Sequence, residues 1–131
     1  MKAQALACQD DWPVIYAYTR AQALEDGVLV DVSEMAREAG FVWPVAVTAA
    51  VWAVIAAIPS RYRGIQSRDG RLWDVLWIAY CAIRSAPAGG TELRYRLILH
   101  HERRTYLTLK LITGPGDHGE PVVTLMLPAE D

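Results

Sequence analysis

The sequence predicts an α+β domain: about four helices in the N-terminal half, arranged around a buried central helix and packed on a C-terminal three-stranded antiparallel β-meander. Three stretches predict it. Val45 to Ile58, VAVTAAVWAVIAAI between Pro44 and Pro59, carries no charge and has Thr48 as its only polar side chain. A helix apolar on every side is ordinarily enclosed by its own protein, so this run is expected as the central helix, its alanines admitting close neighbours and Trp52 supplying bulk. Residues 71–84, RLWDVLWIAYCAIR, space Leu72, Leu76, Ala79 and Ile83 three or four apart and set Trp73, Trp77 and Tyr80 beside them as a second stripe. Beyond Ala86-Pro87-Ala88-Gly89-Gly90 the period falls from helical to alternating.

In chain order, residues 1–11 are expected to fray and Trp12 to Tyr18 to run extended. Thr19 is placed to cap a short helix through Asp26, which Gly27 ends in the left-handed conformation. Val28 to Val32 is another extended apolar run, and Ser33 is expected to cap a second short helix that Gly40 stops. Pro44 disfavours a helical conformation at Trp43, so the central helix starts between Val45 and Thr48, and Pro59 ends it. SRYRGIQSRDG follows as an exposed basic loop, where Ser67 or Asp69 caps the Trp-rich helix. From Glu92 to His100, Leu93, Tyr95, Leu97 and Leu99 face one way and Arg94, Arg96, Ile98 and His100 the other. Thr105 to Ile112 repeats the pattern, with Leu107, Leu109 and Leu111 opposite Tyr106, Thr108 and Lys110. A turn at His101 to Arg104 joins the two as a hairpin, GPGDHGEP forms the second turn, and Val122 to Leu127 is the third strand. Residues 12–86 thus read as mainly helical and 91–128 as the meander, in one domain.

Composition narrows the class. A chain of 131 residues, 53% apolar and 21% charged, can bury a core without staples and is too apolar for disorder. Five tryptophans exceed what so short a chain needs and mark an anchored core or a binding surface. Cys8 and Cys81 stand far apart in no ligand pattern, which fits a reducing compartment. MKAQALACQDDW is too short and acidic for a signal peptide, so a cytoplasmic protein is expected. No membrane span is expected either: a span needs about 20 apolar residues, and the longest apolar run has a proline at each end. The net charge of −2 hides polarity. Residues 1–58 hold seven acids against three bases, residues 59–110 ten bases against four acids, and the tail four acids.

Candidate chemistry reduces to surfaces. Gly114-Pro115-Gly116-Asp117-His118-Gly119 matches G-x-G-x-x-G, but a dinucleotide site needs a helix to follow, and here Pro121 and an alternating strand follow. The match reads as a hairpin turn. His100 and His101 are adjacent on a strand and point to opposite faces, so they do not chelate together without a bulge. No serine has an obvious histidine partner, and Cys81 inside the Trp-rich helix is expected as a small core residue. No catalytic residue, metal or cofactor is therefore expected. The basic set comprises Arg61, Arg63, Arg68 and Arg71 with Tyr62 in the loop, and Arg94, Arg96, Arg103, Arg104 and Lys110 on the hairpin. Arginine with aromatics suits a polyanion. The acidic set, Asp10, Asp11, Glu25, Asp26, Glu34 and Glu38, suits a basic groove on a protein partner.

Tyr18-Thr19-Arg20, Asp26 to Asp31 (DGVLVD), Phe41 to Pro44, Val51-Trp52 and Leu72 to Leu76 (LWDVL) together resemble an uncharacterised family of short proteins carried by bacterial plasmids, phages and other mobile elements. The resemblance covers most of the chain ahead of the hairpins and transfers no catalytic residue. It implies a non-enzymatic binding protein, a stoichiometric inhibitor of a host defence system of the anti-CRISPR or antirestriction type. The alternative is a nucleic-acid-binding accessory module using the arginine loop and hairpin. A protein partner is expected first and nucleic acid second, with a monomer or a homodimer paired through a sheet edge.

Overall fold

The computed structural model describes residues 18–101 and 103–130. The expectations for residues 1–11 and for an extended run from Trp12 therefore fall outside the described residues. The described residues form four α-helices and five strands, in the order α1 (Arg20–Glu25), β1 (Leu29–Asp31), α2 (Ser33–Ala39), β2 (Val45–Thr48), α3 (Ala49–Ala56), α4 (Arg68–Ser85), β3 (Glu92–His101), β4 (Arg104–Pro115) and β5 (Pro121–Met126). A 3₁₀ turn at Ser60–Tyr62 separates α3 from α4. The strands form one sheet in the order β1-β2-β5-β4-β3. β2 runs parallel to β5, and the other neighbouring pairs are antiparallel.

This sheet overturns the expected architecture. The fold is α+β, but its sheet is mixed and five-stranded instead of a three-stranded meander, and its helices are interleaved with strands instead of gathered ahead of them. The misplaced element is the run after Pro44. Val45–Thr48, expected as the opening of a central helix, is β2, with Val45, Ala46 and Val47 buried between β1 and β5. A short apolar run reads equally as a buried strand or a buried helix by periodicity; alternating β-branched residues and a parallel partner in β5 settle it as strand. Thr48 then caps α3, its hydroxyl accepting from Val51 N–H at 3.3 Å. The helix that remains is no buried centre. Val51 and Ile55 are enclosed, while Ala49, Ala53 and Ala56 face outward. Alanine is there as a strong helix former that tolerates exposure.

Alternation along the strands sorts side chains onto two faces. Val45, Val47, Val123, Leu125, Leu107, Leu109, Leu111, Tyr95 and Leu97 share one face and form the core with α2, α3 and α4. Tyr95 Oη donates to Val75 O at 3.2 Å, which satisfies the one polar atom it carries into that core; burial pushes its phenol far above the ordinary value. On the other face α1 covers the β1–β2–β5 side. Its Arg20 donates to Thr124 Oγ1 at 2.8 Å and to Val123 O at 3.0 Å. Asp117, in the turn that resembled a dinucleotide loop, accepts from the Arg20 and Ala21 N–H groups at 2.7 and 3.0 Å. The turn therefore holds the N-terminal end of α1.

Local signals are met in part. Thr19 and Gln22 form a reciprocal capping box on α1. Ser33 does not cap α2: its Oγ donates to Asp31 Oδ1 at 2.6 Å and accepts from Val45 N–H at 3.0 Å, tying α2 to the start of β2.

Candidate functional site

The two ends of α4 carry different surfaces. At its start Ser67 caps the helix, accepting from Gly70 N–H at 3.0 Å, and Leu72, Val75, Leu76 and Ala79 turn into the core. In the neighbouring stripe, Trp73 and Trp77 are left outside and Tyr80 is half-buried. Trp73 and Trp77 stack at 6.1 Å with their planes 7° apart, and Trp77 stacks on Tyr80 at 5.8 Å. Tyr80 meets Phe41 edge-on at 6.0 Å. Its ring fits because residue 40 is glycine: φ is +123° there, and a Cβ would fall 2.7 Å from the ring. Arg84 lies 5.7 Å above the same ring and donates to Tyr80 Oη at 2.9 Å, with no ion pair to a described carboxylate.

Beyond Tyr80 the helix stops short of covering the sheet, and a groove of about 810 Å³ opens. Its floor is Leu93, Leu111, Thr113 and Val123. The Gly40–Trp43 loop, the last turn of α4 and the loop at 86–91 form its walls. The aromatic ladder runs into this groove, so rings and cavity make one continuous apolar surface with Trp77 still 43% exposed. A volume of this size, mainly apolar with a few polar groups, is typical of binding pockets.

The opposite end is basic, and one buried arginine builds it. Arg71, grouped with the loop arginines by sequence, is 2% exposed and inside. Its guanidinium donates to Ile55 O at 2.7 Å, Val54 O at 2.9 Å, Gln66 Oε1 at 2.9 Å and His100 O at 2.8 Å. It thereby satisfies the carboxyl-terminal carbonyls of α3 and fastens the basic loop to the hairpin. Burial pulls its pKa below the usual arginine value, and Asp74 acts in the opposite sense. Tyr62 stacks on His100 at 4.7 Å across the same junction.

The arginines expected to bind a polyanion are thus partly brought together. Arg61 lies over Tyr62 at 5.0 Å, and Arg63 is exposed in the same loop. Arg103 and Arg104 are exposed at the hairpin tip. Arg96 lies 4.8 Å over Tyr106, and Arg94 pairs with Glu92 at 3.5 Å on the outer sheet face. Arg68 is turned toward Trp52 and Asp69. Lys110 leaves the set: it is 7% exposed, and its Nζ donates to Glu130 O. The acidic candidates stay dispersed. Glu34 and Glu38 lie exposed on α2, Glu25 and Asp26 close α1 with Asp26 accepting from Tyr18 Oη, and Asp10 and Asp11 fall outside the described residues.

Residues 9–131 match the model of a family described as a family of unknown function, DUF6573. The chain belongs to that family. Its matched segment contains both ends of α4, the groove and the whole hairpin. No curated protein and no solved structure matches the chain.

Within this DUF6573 member the remaining polar clusters are spent on structure. A second cavity of about 350 Å³ is lined by Arg20, Asp31, Ser33, Arg37, Asp117 and Glu120 among others. The Ser33 hydroxyl donates to Asp31 and accepts from Val45 N–H, and Asp117 holds α1, so these groups tie chain segments together. Half-buried Arg20 is pulled down by desolvation, against the charges of Asp31, Asp117 and Glu120. A register shift between Ile98 and His101 supplies the bulge that chelation would need, yet the rings diverge. His100 lies on Tyr62, and His101 Nε2 reaches Tyr106 O at 3.2 Å. No three potential metal ligands gather among the described residues. Cys81, expected inside, is exposed. It falls on the outer face of α4, four residues from Trp77 and Ser85. No described helix is long and apolar enough to cross a membrane.

Proposed function

We propose that this chain is a non-enzymatic protein-binding factor. It takes an apolar, carboxylate-bearing segment of a protein partner into the groove at the end of α4. One observation carries the reading: exposed Trp73, Trp77, Trp43 and Ile83, joined through half-buried Tyr80, form an apolar surface that continues into the groove, with Arg84 unpaired by any described carboxylate at its edge. Tryptophan, tyrosine and arginine are the residues that dominate interface energetics. An apolar segment with a carboxylate answers both the groove and the guanidinium. The contact surface thus moves from the dispersed acids to the aromatic end.

The finer reading is a stoichiometric inhibitor carried by a bacterial mobile element and directed at a host defence system of the anti-CRISPR or antirestriction type. It is supported by the resemblance to plasmid- and phage-borne proteins. The test is capture from nuclease-treated bacterial lysate with the wild-type chain, Trp77→Ala and Arg84→Glu in parallel, followed by calorimetry on the purified pair. A partner held one-to-one by wild type, lost with Trp77→Ala and weakened by Arg84→Glu, is the expected result. A partner held equally by all three proteins would overturn the groove as the contact surface.

A further inference from the structure

The outer face of the β3–β4 hairpin is a second surface, independent of the groove. Alternation and register put Arg94 beside Lys110, Arg96 beside Thr108 and Ile98 beside Tyr106 on this face, and the hairpin leads on to Arg104 and Arg103 at its tip. α1 reaches only the β1–β2–β5 side and the carboxyl-terminal turn covers Lys110, while Arg96, Ile98, Tyr106 and Thr108 stay exposed. Ile98 is 60% exposed and Tyr106 53%. Arginine, a ring and an aliphatic side chain lie open together. The described residues of the hairpin include one acid, Glu92, already paired with Arg94, and the sequence adds Glu102 between His101 and Arg103.

We infer that this face binds single-stranded DNA through its phosphates and base faces. Charge complementarity is the first reason: four arginines occur on a short ribbon, and Arg96 is already stacked at 4.8 Å on a ring whose remaining surface is open. Spacing is the second. Side chains on one strand face recur about every 6.8 Å, on the scale of one nucleotide of an extended strand, so Arg94 and Arg96 can follow successive phosphates while Tyr106 and Ile98 meet bases. Shape is the third, and it selects single strands over duplex. A β-ribbon that reads a duplex inserts into a groove, but Leu97, Leu99, Leu107 and Leu109 fix the other side of this ribbon in the core. Only a flat platform remains. Its side chains are guanidinium, phenol and aliphatic groups, suited to backbone and stacking contacts without base-edge reading.

Fluorescence anisotropy with a labelled oligothymidine of about 20 nucleotides tests this directly, since one such platform covers roughly 4–16 nucleotides. Saturable binding is expected at low salt, with log affinity falling by about 0.7 per decade of salt for each phosphate contacted. Arg96→Ala should reduce affinity and flatten that slope, while Tyr106→Ala should reduce affinity and leave the slope unchanged. Thermal melting of both variants confirms folding, because both side chains stand on the surface. Trp77→Ala should leave oligothymidine binding intact, which separates this result from the fate of the groove reading. Absence of saturable binding, insensitivity to both Arg96→Ala and Tyr106→Ala, or equal affinity for a duplex of the same length would each overturn the proposal.

Discussion

The two ends of α4 solve opposite problems with similar residues. At the amino-terminal end a charged side chain, Arg71, is driven inside and every hydrogen bond it makes there goes to the protein. At the carboxyl-terminal end large apolar rings are left outside, and Arg84 rests on one of them without an acidic partner among the described residues. The first arrangement spends binding capacity on joining α3, the basic loop and the hairpin. The second leaves capacity unspent, which is what a recognition surface requires. Residue type alone therefore says little here: an arginine is a structural clamp in one place and a free contact three turns later.

The largest expected effect breaks the buried end. Arg71→Met removes a charged donor set and leaves the carbonyls of Val54, Ile55 and His100 without the guanidinium, so unfolding in urea should show a loss of about 3 kcal/mol or more. Arg71→Lys should recover only part of it, because one ammonium cannot reach four acceptors in a fork.

The next change sharpens the exposed end. Gly40→Ala places a methyl against the Tyr80 ring at a backbone conformation that disfavours side chains. It should cost about 1–3 kcal/mol and reshape the groove wall, read out by denaturation and by tryptophan fluorescence. Trp77→Ala, by contrast, should change stability by less than about 1 kcal/mol while weakening partner binding by about 2 kcal/mol, roughly 30-fold, in calorimetry. Equal stability losses for Trp77→Ala and Arg71→Met would erase the contrast between the two ends.

Smaller effects lie on the sheet. Tyr95→Phe should cost about 1 kcal/mol in the same urea assay, the value of one buried hydrogen bond. Asp117 supplies a pH-dependent effect. The N–H groups of Ala21 and Arg20 hold its carboxyl below the usual range. A carboxylate with a lowered folded pKa stabilises fully above its unfolded value, about 3.9, and loses that stabilisation as pH falls through the lower folded value. Wild type should therefore exceed Asp117→Asn in stability at pH 7, and the gap should close in denaturation curves recorded progressively below about pH 4.

Several features were legible from residues alone because short-range physics decides them. Thr19 caps α1, Ser67, one of the two caps expected, caps α4, and the leucines of β3 and β4 alternate into the core. Caps need only neighbours within a turn, and an alternating pattern has only one way to bury its apolar side. The candidate surfaces were half legible. The stripe of Trp73, Trp77 and Tyr80 is plain in the spacing, but whether such a stripe is core or surface depends on what packs beside it. Lys110 lies in register with Arg94, yet the carboxyl-terminal turn reaches back and takes it.

By itself, then, the sequence determined several helix caps, which hairpin strands alternate and where charge accumulates. Tertiary structure decided three other matters. It made Val45–Thr48 a strand, since the β-branched residues of so short a run do not settle strand against helix until β1 and β5 pair with it. It drew Arg71 inside, since the carbonyls that receive the guanidinium come from α3 and β3, far apart in the chain. It also opened the groove, whose floor and walls come from four separate stretches between Gly40 and Val123. Local propensity acts within a few residues, whereas strand pairing, desolvated charges and cavities are contacts between segments that meet only when the whole chain folds.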